Sequence, residues 1–157
     1  MCDFFGTLES LYVFFTGSTH RWTILMTNVE VTINRLSETG RSSHYEAVMP
    51  VFKFFKKIVD ATEELCDASE TIEVRGAAQT LLPTTCDFLF LCFLCLWNNV
   101  LEEVNHVQKY LQILGISFEK SVIKMRSLKV FLKDKRNDLV GRKHCKTVTH
   151  VKRWAFL

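Results

Sequence analysis

Leu36-Ser-Glu-Thr-Gly-Arg-Ser-Ser-His-Tyr-Glu-Ala-Val48 divides the chain into two kinds of sequence. Ser43 and Glu46 stand at the S-x-x-E spacing of a capping box. In such a box the Ser hydroxyl accepts from a free helix N–H, and the Glu side chain reaches back to the cap N–H. The stretch therefore reads as a loop that ends in a helix start. Everything before it fits two short amphipathic helices. Everything after it fits a series of helices with almost no strand signal.

Upstream, Phe4, Phe5, Leu8, Leu11, Tyr12 and Phe15 recur every three to four residues and predict one helix face, with Gly17 as its stop. Ser18 or Thr19 can cap a second helix in which Trp22, Leu25, Met26 and Val29 share a face. Val29 to Ile33 alternates apolar and polar residues, so a short extended segment near 29–35 is an option.

Downstream, a long helix is predicted from Ser43 to about Cys66, with Tyr45, Val48, Phe52, Phe55, Ile58, Val59, Thr62 and Leu65 on its apolar face. Pro50 lies past its first turn, which predicts a kink near Ala47 to Pro50. A helix restarts near Glu70. Pro83-Thr-Thr is expected to end it, with Thr84 or Thr85 capping the next, from about Cys86 to Leu114. Phe88 to Trp97 is apolar all round and is expected to be enclosed on every side. Val100, Val104, Val107, Leu111 and Leu114 form a packing seam. Gly115 stops that helix and Ser117 starts the last one. There Phe118, Val122, Met125, Leu128 and Leu132 share a face, and Lys129, Lys133, Lys135 and Arg136 complement the helix dipole. The fold class is thus all-α, an irregular bundle of about six helices. One helical domain is expected over 3–140, followed by a basic, disordered tail over 141–157.

Composition narrows the function. The chain has 157 residues, 48% of them apolar, and a net charge of +3, so a real core is possible and charge alone does not argue for nucleic acid. Cys92-Phe-Leu-Cys95 is half of a zinc motif with no second half, and the start carries no secretory signal, so thiols are expected free. Phe88 to Trp97 is ten residues, short of the ~20 a membrane span needs, so no membrane partner is expected. No Gly-rich phosphate loop, nucleophile–base pair or ligand-spaced His cluster is present, so no cofactor, metal or small-molecule substrate is expected. Arg35, Arg41 and His44 flank one loop, close in sequence to Tyr45 and Trp22. Cations beside aromatics can pair with phosphate and stack on bases, so these three are the candidate DNA contacts. A solvated loop beside a core Trp fits the same residues.

Phe4-Phe-Gly-Thr-Leu-Glu-Ser-Leu-Tyr-Val-Phe-Phe-Thr-Gly-Ser-Thr-His-Arg-Trp22, Leu36-Ser-Glu-Thr39 and Leu96-Trp-Asn-Asn-Val-Leu-Glu-Glu-Val-Asn-His-Val-Gln-Lys-Tyr-Leu-Gln112 together resemble the hAT superfamily of DNA transposases. More narrowly they resemble its zinc finger MYM-type protein 1-like group. The resemblance covers about residues 4 to 139. It implies the helical insertion domain of that family, which interrupts an RNase H-like core. The three acidic metal ligands of that core lie outside the matching segment, so the chain is expected not to be an enzyme. The family's Thr-Arg-Trp-x-Ser motif falls on Thr39-Gly40-Arg41-Ser42-Ser43, with Gly40 at the Arg position and Arg41 at the Trp position. The resemblance implies a transposon-derived, catalytically incomplete fragment in the nucleus, with at most residual DNA contact. Without it, a cytoplasmic setting is expected. The alternative is a protein-interaction module whose apolar helix faces self-associate or bind partner helices.

Overall fold

The computed structural model describes residues 3–29, 33–34, 43–67 and 70–140. These form seven helices: α1 (Phe4–Thr16), α2 (Thr19–Asn28), α3 (Ser43–Lys53), α4 (Phe55–Glu64), α5 (Ile72–Thr85), α6 (Phe88–Leu111) and α7 (Phe118–Val140). Among the described residues there is no strand, and the all-α class is as expected. Val29 is extended (φ −123°, ψ 118°), while 30–32 and 35 of the segment flagged for extension lie outside the described residues. So does the tail over 141–157. The helices fall into two compact units, Met1–Cys95 and Leu96–Leu157.

In the first unit, α1 packs on α2 and α5, and α4 packs on α2, α3 and α5. The apolar spacing read from the sequence explains this. Phe4, Leu8, Leu11 and Phe15 of α1 point inward, as do Leu25 of α2 and Phe55, Ile58 and Leu65 of α4. Leu11, Phe15, Leu25, Val48, Ile58, Phe90 and Leu94 are fully enclosed. The Phe4 ring sits 5.2 Å from the Phe90 ring, which joins the start of α1 to the start of α6.

The predicted long helix over 43–66 is two helices. The backbone leaves helical geometry at Phe54 (φ −114°, ψ 23°), one turn after Pro50 instead of within 47–50. Proline has no N–H, so it leaves the Glu46 carbonyl without its helical donor. The Asn34 side chain supplies one, with Nδ2 donating to that carbonyl at 3.4 Å. The helix therefore stays intact across Pro50. Phe54 N–H still reaches the Pro50 carbonyl at 2.9 Å.

Pro83 does not end α5 either. It lies on the exposed side, and Thr84 and Thr85 turn their hydroxyls back to the Thr80 and Leu81 carbonyls at 3.1 and 2.9 Å. Both threonines lie inside α5, before the start of the next helix, and do not cap it. Asp87 does, its Oδ2 accepting from the N–H groups of Leu89 and Phe90 at 2.9 and 3.3 Å. A carboxylate there also faces the positive end of the helix dipole.

The start of α6 is not enclosed all round. Phe90, Leu91, Leu94 and Cys95 are buried, whereas Phe88, Leu89 and Phe93 are 51%, 54% and 38% exposed. Apolarity on every side had implied burial on every side. The helix instead buries one stripe and leaves the other in solvent. At 24 residues, α6 is also long and apolar enough to cross a membrane by length and composition, a test that a core helix passes too.

In the second unit, Val107 is buried, and Val100, Val104 and Leu111 of the predicted seam are half-buried. Leu114 lies past the helix end and is 98% exposed. Gly115 takes φ +80°, a conformation that costs other residues strain, and turns the chain toward α7. Ser117 caps α7 as the sequence predicts, its Oγ accepting from Lys120 N–H at 3.4 Å.

Candidate partner-binding face on helix α7

Of the three predicted DNA contacts, Arg35 and Arg41 lie outside the described residues. His44 is in the first turn of α3, exposed, with its ring 5.4 Å from the Phe5 ring and nearly edge-on at 69°. It is held by an aromatic neighbour from α1. Trp22 and Tyr45 are half-buried.

Elsewhere in the first unit two open grooves are formed. One, of about 640 Å³, runs between α1 and α5 past Val13, Phe14 and Ala77. The hydroxyls of Thr7, Ser10 and Thr80 along it donate to carbonyls one turn back in their own segments, at 3.1, 2.8 and 2.9 Å. Its hydroxyl donors are thus already spent within the chain. The other, of about 660 Å³, is acidic, with Glu63, Glu64, Asp67 and Glu70 beside His20. His20 Nε2 lies 2.8 Å from Glu70 Oε1, and Asn28 Nδ2 donates to Glu64 at 3.4 Å. Among the described residues no group of three His, Cys, Asp or Glu side chains is arranged to hold a metal.

Among the described residues the thiols are not activated. Burial, with the neighbouring Cys92 as a lesser cause, pushes the Cys95 thiol up to about 11. Burial also raises Cys66 and Cys86, each helped by Glu63, and Cys92, helped by Asp87. A nucleophilic Cys needs the opposite shift.

The chain's small net charge hides a strong division. Up to Cys95 there are seven Lys/Arg against twelve Asp/Glu, a net of −5. From Leu96 on there are thirteen against five, a net of +8. Much of that excess is on α7. Arg126, Lys129, Lys133 and Arg136 recur at three-, four- and three-residue steps, so they line one side of the helix, and all four are exposed. None has an acidic residue three or four positions away.

Helix α7 is also the least covered element. Not one of its side chains over 118–137 is buried. Phe118 is 82% exposed and Ile123 65%, and Met125, Val130 and Leu132 are exposed as well. Leu128 and Phe131 are half-buried, the latter with Lys135 Nζ 5.6 Å from its ring centre. Lys124 Nζ lies 3.6 Å from Glu103 of α6, and Glu103 also lies 3.9 Å from His106. Sequence reasoning had found the apolar face of this helix and assigned its cations to the dipole. It missed the stripe, although the spacing of 126, 129, 133 and 136 was there to be read.

Comparison with protein-family models, with curated proteins and with solved structures gave no match to this chain.

Proposed function

We propose that this chain is a non-catalytic helical interaction module that engages a partner through α7. One observation carries the proposal: a 23-residue helix exposes Phe118, Ile123, Met125, Val130 and Leu132 and buries none of its described side chains. Helices in proteins draw most of their stability from packing an apolar face, and α7, whose described side chains are at most half-buried, keeps apolar surface for a partner that arrives from outside. The resemblance to the hAT insertion domain supports the same reading. In that family the helices pack on another body through apolar faces, the kind of contact proposed here for α7.

A second reading, residual DNA contact, is favoured by the net +8 of the second unit and by the exposed cations of α7. Salt separates the two. Apolar docking persists at high salt, whereas phosphate contacts weaken steeply between about 50 and 200 mM. The test is fluorescence anisotropy with two labelled probes: a helical peptide with Leu heptads and uncharged flanks, and a DNA duplex. The module reading expects peptide binding that survives about 500 mM salt, conditions that screen exposed charges, and that a Phe118→Ser, Met125→Ser, Leu132→Ser triple variant abolishes. Duplex binding that falls with salt and with Arg126→Ala and Lys133→Ala, with no peptide binding, would replace it with the DNA reading.

A further inference from the structure

We infer that the partner of α7 is an acidic amphipathic helix and not a second copy of α7. The inference rests on the interaction-module reading and adds the chemistry of the partner. Phe118, Met125 and Leu132 recur every seven residues and are exposed, which is the geometry of a seam for one more helix. Exposed cations line one edge of that seam, Lys129 and Arg136, while on the other edge Lys124 is half-buried and paired with Glu103 of α6.

A second α7 would meet its own charge. In a parallel pair, Lys129 of one helix faces Lys124 of the other, a position whose carboxylate partner, Glu103, is already taken. In an antiparallel pair, the Lys129 and Arg136 edges face each other. Like charges at these flanking positions select against self-pairing. A partner with Asp or Glu there gains along the Lys129 and Arg136 edge, where both cations are exposed. The protein already shows this preference once, since the carboxylate beside Lys124 comes from a neighbouring helix, Glu103 of α6.

An anionic membrane fits less well. Ile123 and Val130 lie on the far side of the cation stripe from Met125 and Leu132, so exposed apolar side chains border the stripe on both sides. A planar surface covers only one side of a helix.

The test uses the full chain and three labelled Leu-heptad peptides, identical except for Glu, Gln or Lys at the flanking positions. The expected result is a Glu peptide bound about ten-fold more tightly than the Lys peptide at 50 mM salt, with the gap narrowing at 500 mM. Lys129→Glu with Arg136→Glu should reverse the order. Both residues are exposed, and unchanged circular dichroism would report an intact fold. Equal binding of the Glu and Lys peptides overturns the inference while leaving the interaction module standing, because the Gln peptide still reports on the apolar seam. Failure of all three peptides removes both. Binding of duplex DNA or of phosphatidylserine vesicles that depends on Lys129 and Arg136, without Glu-peptide binding, assigns the stripe to a different polyanion and also overturns it.

Discussion

Leu94→Ala and Leu89→Ala make the same chemical change on the same helix five residues apart, and their effects should differ several-fold. Leu94 is fully enclosed in the first unit, whereas Leu89 is 54% exposed. Leu→Ala removes three carbons, worth about 2.4 kcal/mol at ~0.8 kcal/mol per buried CH₂. The unfilled cavity adds to this, as in the large-to-small series that span about 2.7–5.0 kcal/mol. Leu94→Ala should therefore cost about 3–4 kcal/mol. For a unit of this size, ~1 kcal/mol corresponds to about 4–8 °C in Tm, so the melt should move by more than about 10 °C. Leu89→Ala should stay within about 0.5 kcal/mol, the range of surface changes. Urea unfolding followed by circular dichroism reads both, with an unchanged slope confirming that the native state is the same. Equal costs for the two variants would refute the division of α6 into a buried and a solvent stripe, and would restore burial on all sides.

Asp87→Ala should destabilise by about 1 kcal/mol through loss of the α6 cap, and Asp87→Asn by much less, because an amide oxygen can still accept from Leu89 N–H. The same measurement with Thr84→Ala, at the cap position the sequence had suggested, should show the smaller effect. Gly76→Ala and Gly115→Ala should have opposite signs. Gly76 sits in α5 with open space where a methyl would go, so alanine should add about 0.5–1 kcal/mol, whereas Gly115 at φ +80° should lose about 1–2 kcal/mol. Cys95 ties stability to alkaline pH. Its thiol titrates near 9.0 when exposed and at about 11 when folded, so only the unfolded chain ionises between them. Stability is full below pH 9 and falls as pH rises toward 11. Urea midpoints at pH 8.5 and 10.5 should drop more in the wild type than in Cys95→Ala, which lacks the group.

Helix positions and inward faces were legible because periodicity is a direct image of burial. Phe4, Leu8, Leu11 and Phe15, and the run Val48, Phe55, Ile58 and Leu65, point where their spacing says. Breaks were harder, because a proline removes a donor without saying whether another group replaces it. At Pro50, Asn34 supplies the missing donor, and at Pro83 the position faces solvent, so neither ends its helix. The Asp87 cap was legible in principle, as an Asp just before an apolar run, but the threonines beside Pro83 offered the same chemistry two residues earlier. Uniform apolarity over 88–97 carried no face information, so which side is buried needed the packing of Phe4 against Phe90. The α7 face was half legible: its heptad spacing is in the sequence, while its lack of cover is a tertiary fact.

The hydrogen bond from Asn34 to the Glu46 carbonyl joins two points 12 residues apart and so closes a loop in the polymer sense. Closing a loop costs entropy only as the logarithm of its length, about 0.6 kcal/mol for each doubling. By that scaling, stability depends only weakly on the number of residues between two points so joined. This is a natural port for engineering. A peptide tag of about ten residues inserted between Thr39 and Gly40, in the stretch whose sequence reads as a loop, should be carried at less than about 1 kcal/mol. The same insertion between Phe54 and Phe55, where two helices must keep their phase, should unfold the first unit.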